Sequence, residues 1–107
     1  MEDVEEIKRY GDAAVPVLAD YLRSGGELER SLAVEFLGLL GGSRIIEPLR
    51  IVIQSDTSPS IREKALRWLA QAPWDLAAPI ITEAGDANSD ANVRKVARDI
   101  LTKRAHK

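Results

Sequence analysis

The apolar positions of this chain keep a helical rhythm that returns at a fixed interval. In IREKALRWLAQA, Ile61, Ala65, Trp68, Leu69 and Ala72 stand at i, i+4, i+7, i+8 and i+11, one face of a 3.6-residue helix. In VRKVARDIL, the residues Arg94, Ala97, Ile100 and Leu101 answer Arg62, Ala65, Trp68 and Leu69, each at a spacing of 32. The same interval toward the amino end reaches Arg30, Ala33, Phe36 and Leu37 in ERSLAVEFLGLL. Four columns in register mark one supersecondary unit written three times.

A second phrase repeats between these. Pro16 in AAVPVLADYL and Pro48 in IIEPLRIVI are 32 apart, and Pro79 in LAAPIITEA comes one residue early. Apolar residues follow each proline: Val17, Leu18 and Tyr21; Leu49 and Ile53; Ile80, Ile81 and Ala84. Arg50 interrupts the middle set. The pattern predicts seven helices, near 2–10, 12–24, 27–40, 44–55, 60–72, 75–84 and 91–104, with each proline in a first turn where a missing N–H costs little. Short polar connections predict antiparallel neighbours. Ser58 or Ser60 caps the fifth helix, with Pro59 beside it and Glu63 completing a box from Ser60; Ser43 and Asp90 cap two others. No strand pattern interrupts the series.

The columns suggest roles. Ala33, Ala65 and Ala97 suit close helix crossings, while Phe36, Trp68 and Ile100 suit wider gaps between layers. Trp74, following Pro73, reads as a packing residue at a helix start, with a ligand contact as the alternative. Each pair buries one face on its own, so stacking completes the core.

With these phrases in view the chain resembles the HEAT-repeat family, in its short phycobilin-lyase-type form. IREKALRWL, VRKVARDIL and ERSLAVEFLG match the family's first helix; VPVLADYL, EPLRIVIQSD and APIITEAGD match its second. The likeness covers nearly all of residues 1–107, read as a single domain. It implies an all-α fold, a right-handed α-solenoid of about three and a half helix-pair repeats. The period of 32 is shorter than the roughly 40–47 of typical HEAT units. The first unit has a stunted opening helix and the last has no second helix. The resemblance also implies that Arg30, Arg62 and Arg94 are internal staples to an Asp ending the preceding unit, with Asp56 and Asp86 placed for it.

Composition narrows the function. The 107 residues are 45% hydrophobic and 30% charged with a net charge of −2, the profile of a globular chain without the basic excess of a general nucleic-acid binder. There is no cysteine, which removes thiolate chemistry and disulfides. The one histidine, His106, stands next to the carboxyl end, so no Ser–His pair or His-based metal set is expected. The His-Glu pairs of HEAT-like deoxyhypusine hydroxylases are absent, and the long basic surface of HEAT-like DNA glycosylases is not supplied. The carboxylates of EDVEE read as a solvated first turn. MEDVEEIKRY lacks a signal-peptide pattern, and no apolar run reaches the roughly 18 residues of a membrane span. The expectation is a cytoplasmic protein without catalytic, cofactor or metal residues.

What remains is surface. In solenoids of this kind the second helices line the concave face, the usual place of partner contact. Glu47, Arg50, Ile51 and Gln54 lie at i, i+3, i+4 and i+7 on the middle one, a charge beside an isoleucine on the polar side. Asp20, Thr82 and Glu83 extend this candidate protein-binding patch to the neighbouring units; the plain reading is a solvated helix face with one stray isoleucine. A nucleic-acid module using Arg62, Arg94, Lys95, Arg98 and Lys103, and an accessory subunit of a lyase-type enzyme, are the rivals. The helix at 91–104 has no expected mate, which makes it a candidate homodimer contact.

Overall fold

The computed structural model describes residues 2–105, with side chains from residue 9 onward. The fold is all-α: α1 (Glu2–Ser24), α2 (Glu27–Leu40), α3 (Ile46–Ser55), α4 (Pro59–Leu69), α5 (Trp74–Ala87) and α6 (Ala91–Ala105), with a 3₁₀ turn at Ser43–Ile45 leading into α3. The described residues include no strand. His106 and the side chains of EDVEE lie outside the described residues.

The two helices expected at 2–10 and 12–24 are one. Gly11 does not stop the helix, because its backbone stays at negative φ. Its missing side chain serves a close approach instead: a Cβ there would stand 2.5 Å from Nη1 of Arg44. Arg44 crosses at this point to donate to Asp12 Oδ1 (3.0 Å), Leu40 O (3.1 Å) and Gly41 O (3.2 Å). As a result Pro16 falls well inside α1. Pro79 also lies past the first turn, because α5 begins at Trp74. Only Pro48 keeps the early position expected of all three. Gly41 and Gly42, at φ 68° and 78°, make the turn after α2, a conformation that side chains disfavour.

Packing follows the short connections. The closest neighbours are α1 with α2, α3 with α4, and α5 with α6. These pairs associate through α2 on α4, α4 on α6, and α3 on α5, giving a slab of 43 × 35 × 16 Å. This corrects the expectation for the last helix: α6 has a mate, α5, and rests on α4 as well. The repeat is better divided one helix later, so that the described helices fall into three pairs, α1–α2, α3–α4 and α5–α6.

Ala33, Ala65 and Ala97 are buried, and Leu37, Leu49, Ile53, Leu66, Leu69, Ile81 and Val93 are fully enclosed with them. Trp68 and Ile100 are half-buried against this core. Phe36 is a correction: the same column leaves it 54% exposed. The reason is positional, because Trp68 packs on α2, whereas no helix of the described chain covers that side of α2.

Polar groups stitch the turns. Ser58 caps α4 through Ile61 N–H (3.3 Å), so the cap is Ser58 and not Ser60; Asp90 caps α6 through Asn92 and Val93 N–H. Ser43 makes no side-chain cap. Arg30 donates from Nε to Asp56 Oδ2 (2.9 Å) and from Nη1 to Gly25 O (3.1 Å). One repeat later Arg62 donates to the Asp56 carbonyl at 2.5 Å, and from Nη1 to Asn88 Oδ1 (3.1 Å) and Ser89 Oγ (2.9 Å). Arg94 donates to Asn88 O (2.7 Å). Each arginine thus reaches back to a carbonyl, and the first two also reach 26 residues forward to a side chain. This corrects the expected staple in direction and in partner. The Asp56 carboxylate is held by Arg30 from the unit before it, and Arg62 and Arg94 reach back only to carbonyls. Asn88, not Asp86, is the counterpart of Asp56, with Asp86 exposed.

Candidate interaction surface

The predicted patch sits where α3 meets its neighbours. Arg50 and Glu47, one helical turn apart, share two hydrogen bonds, one of them from Nε to Oε2 at 2.9 Å. Arg50 Nη1 donates to Gln54 Oε1, also at 2.9 Å. These three side chains form one strip along the helix, as their i, i+3 and i+7 spacing dictates. The hydrogen bond from Arg50 holds the Glu47 carboxyl below its ordinary pKa; the same bond, with the charges of Glu47 and Glu83, raises that of the Arg50 guanidinium. Glu83 on α5 therefore belongs electrostatically to the strip.

Two grooves flank it. One, of about 400 Å³, runs between α1 and α3 and is lined by Ala19, Leu22, Pro48, Ile51 and Val52, with Arg30 and Asp56 at one end. Ile51, 49% exposed, forms part of its apolar wall. The other, of about 190 Å³, lies between α3 and α5 and includes Gln54, Ile80 and Glu83. The structure thus gathers Glu47, Arg50, Gln54 and Glu83 into one charged ridge and sets Ile51 beside it. Two residues stand apart. Thr82 is turned to its own helix, donating to Ala78 O at 2.8 Å, and Asp20 pairs with Arg23 on α1.

The basic residues of the first helices are differently disposed. Arg62 and Arg94 are committed to the turns. Lys95, Arg98 and Lys103 are exposed on α6, and Arg104 lies over the Trp74 ring at 4.3 Å, a cation–π contact. Among the described residues no three His, Asp or Glu side chains converge as a metal site, and no helix is long and apolar enough to cross a membrane.

A second surface escaped the sequence reading. Leu28, Leu32, Phe36 and Leu39 on α2, with Tyr10, Val17 and Tyr21 on α1, are all exposed. Tyr21, Leu32 and Phe36 line a common groove between the two helices. The signal was present: one repeat later the α2 column reads Ser60, Lys64, Trp68 and Gln71, whereas on α2 all four positions are apolar.

No protein-family model matches the chain, and comparisons with characterised proteins and with solved structures bring out no similar chain.

Proposed function

We propose that this chain is a non-catalytic protein-binding module of the cytoplasm, an adaptor or regulatory subunit whose partner docks on the α3 ridge. In this reading the three helix pairs are turns of a right-handed HEAT-like solenoid, with α1, α3 and α5 on the concave side. The rows α2–α4–α6 and α3–α5 support that arrangement. The observation that carries the function is Ile51, half-exposed in a groove wall beside the Glu47–Arg50–Gln54 strip. An apolar anchor ringed by paired polar groups is the usual make-up of a contact patch. The nucleic-acid alternative is weaker, since Arg62 and Arg94 are engaged in the turns. Affinity capture from cell lysate with the native chain, Arg50→Glu and Ile51→Asp tests the proposal. Both variants are expected to lose the captured protein, and unchanged capture by both removes the ridge from consideration.

A further inference from the structure

The α2 helix has two apolar sides. One buries Ala33, Val34 and Leu37; the other leaves Leu28 73%, Leu32 48%, Phe36 54% and Leu39 67% exposed. The equivalent column on α4 lies only partly against α2, beside an open groove lined by Glu35, Ser60, Lys64 and Gln71, and it is largely polar: Lys64 donates to Ser31 Oγ (2.8 Å) and Trp68 Nε1 to Glu35 Oε1 (3.0 Å). A face meant only for water would be at least as polar as one partly covered by a neighbouring helix. Here the uncovered α2 face is the more apolar, and the exposed Val17 and Tyr21 on α1 add to it.

We propose that this face is a two-fold interface with a second copy of the same chain. Three observations favour that occupant. The six side chains together expose on the order of 700 Å², close to the roughly 800 Å² each partner buries in a stable complex. On α2 the exposed residues recur at spacings of four, four and three, the seam of a helix that packs on helices. A second copy brings an identical pair, and the four helices would form a bundle. Finally, the chain's opposite end is unsuited as a mate. Where α2 and α4 bury Val34 and Leu66, α6 carries an exposed Arg98, with Lys95 and Asp99 also exposed. A head-to-tail joint would press leucines onto charge, whereas a two-fold joint sets apolar on apolar and closes at two copies.

Sedimentation equilibrium of the full chain from about 5 to 500 µM, a range that spans moderate affinities, decides the matter. The mass is expected to approach twice 11.8 kDa. Phe36→Glu and the milder Leu28→Ser, both at exposed positions, should raise the dissociation constant at least about tenfold with far-ultraviolet dichroism unchanged. Arg98→Glu and Ile51→Asp should leave it in place. A single species of 11.8 kDa throughout, a dimer retained in both face variants, or a mass growing past two copies would each overturn the proposal. The α3 ridge is on other helices, so either result leaves its own test intact.

Discussion

Two helical glycines should respond to the same substitution with opposite signs. An alanine is worth about 0.5–1 kcal/mol over glycine inside a helix. At Gly85 on α5, a Cβ would meet Arg98 Cγ at 3.3 Å and Ala97 Cβ at 3.7 Å. The first neighbour is the stem of a flexible, exposed side chain that can yield. Gly85→Ala should therefore keep most of the propensity gain. At Gly38 on α2, the same atom would stand 2.0 Å from Trp68 Cδ2 and 2.3 Å from Cγ. Carbon atoms in contact sit about 3.5–4.0 Å apart, so the indole must retreat by roughly 1.5 Å. That movement costs about 1–3 kcal/mol as overpacking. It also breaks the Trp68–Glu35 hydrogen bond, whose half-exposed carboxylate water can partly re-satisfy. Net of propensity, Gly38→Ala should lose about 1–2 kcal/mol. In a domain this size each kcal/mol moves the melting temperature by about 4–8 °C. Thermal and urea unfolding of the two variants should place them on either side of the native chain. In a Trp68→Ala background the Gly38→Ala penalty should vanish, as a double-mutant cycle requires of a direct contact. A Gly38→Ala chain as stable as the native one, or a penalty that survives removal of Trp68, would refute the argument.

Two further outcomes are expected. Asn88→Ala removes the buried bond from Nδ2 to Ile53 O (2.7 Å) and the acceptor shared by Arg62 and Asp90 N–H; urea unfolding should register a loss of about 1–3 kcal/mol. Asn88→Asp should also destabilise, since a carboxylate keeps the acceptor but cannot donate to Ile53. The Glu47 carboxyl, held low by Arg50, contributes stability above its ordinary titration range and loses it as the pH falls through its depressed value. Carbon-13 titration should find Glu47 below the ordinary glutamate value, and Arg50→Gln should return it toward that value.

Much of the architecture was legible because period and register are local facts. The 32-residue columns named the buried alanines, and five of the six α-helices fall near their predicted bounds. The α3 strip was legible for the same reason, since its spacing lies within one helix. The misses came from tertiary contacts that no spacing encodes. Gly11 looks like a stop until Arg44 arrives over it from 33 residues away. Phe36 belongs to a core column whose neighbour exists on α4 and not on α2. Asn88 escaped notice because the staple was expected to run back from Arg94 to the charge of Asp86. Instead Arg62 reaches forward to a turn that needed a side chain able both to accept and to donate.

Pairwise stacks tend to unzip from their ends, each module loosening with little effect beyond its neighbour. The arginine stitching works against such fraying. Opening the α5–α6 connection would strip Arg62 of Asn88 and Ser89, and would strip the Ile53 carbonyl of its donor, so the disturbance reaches the middle pair at once. Cooperativity is thereby written into the turns as well as the oily interior, and amide exchange in α3 should rise and fall together with that of the last connection.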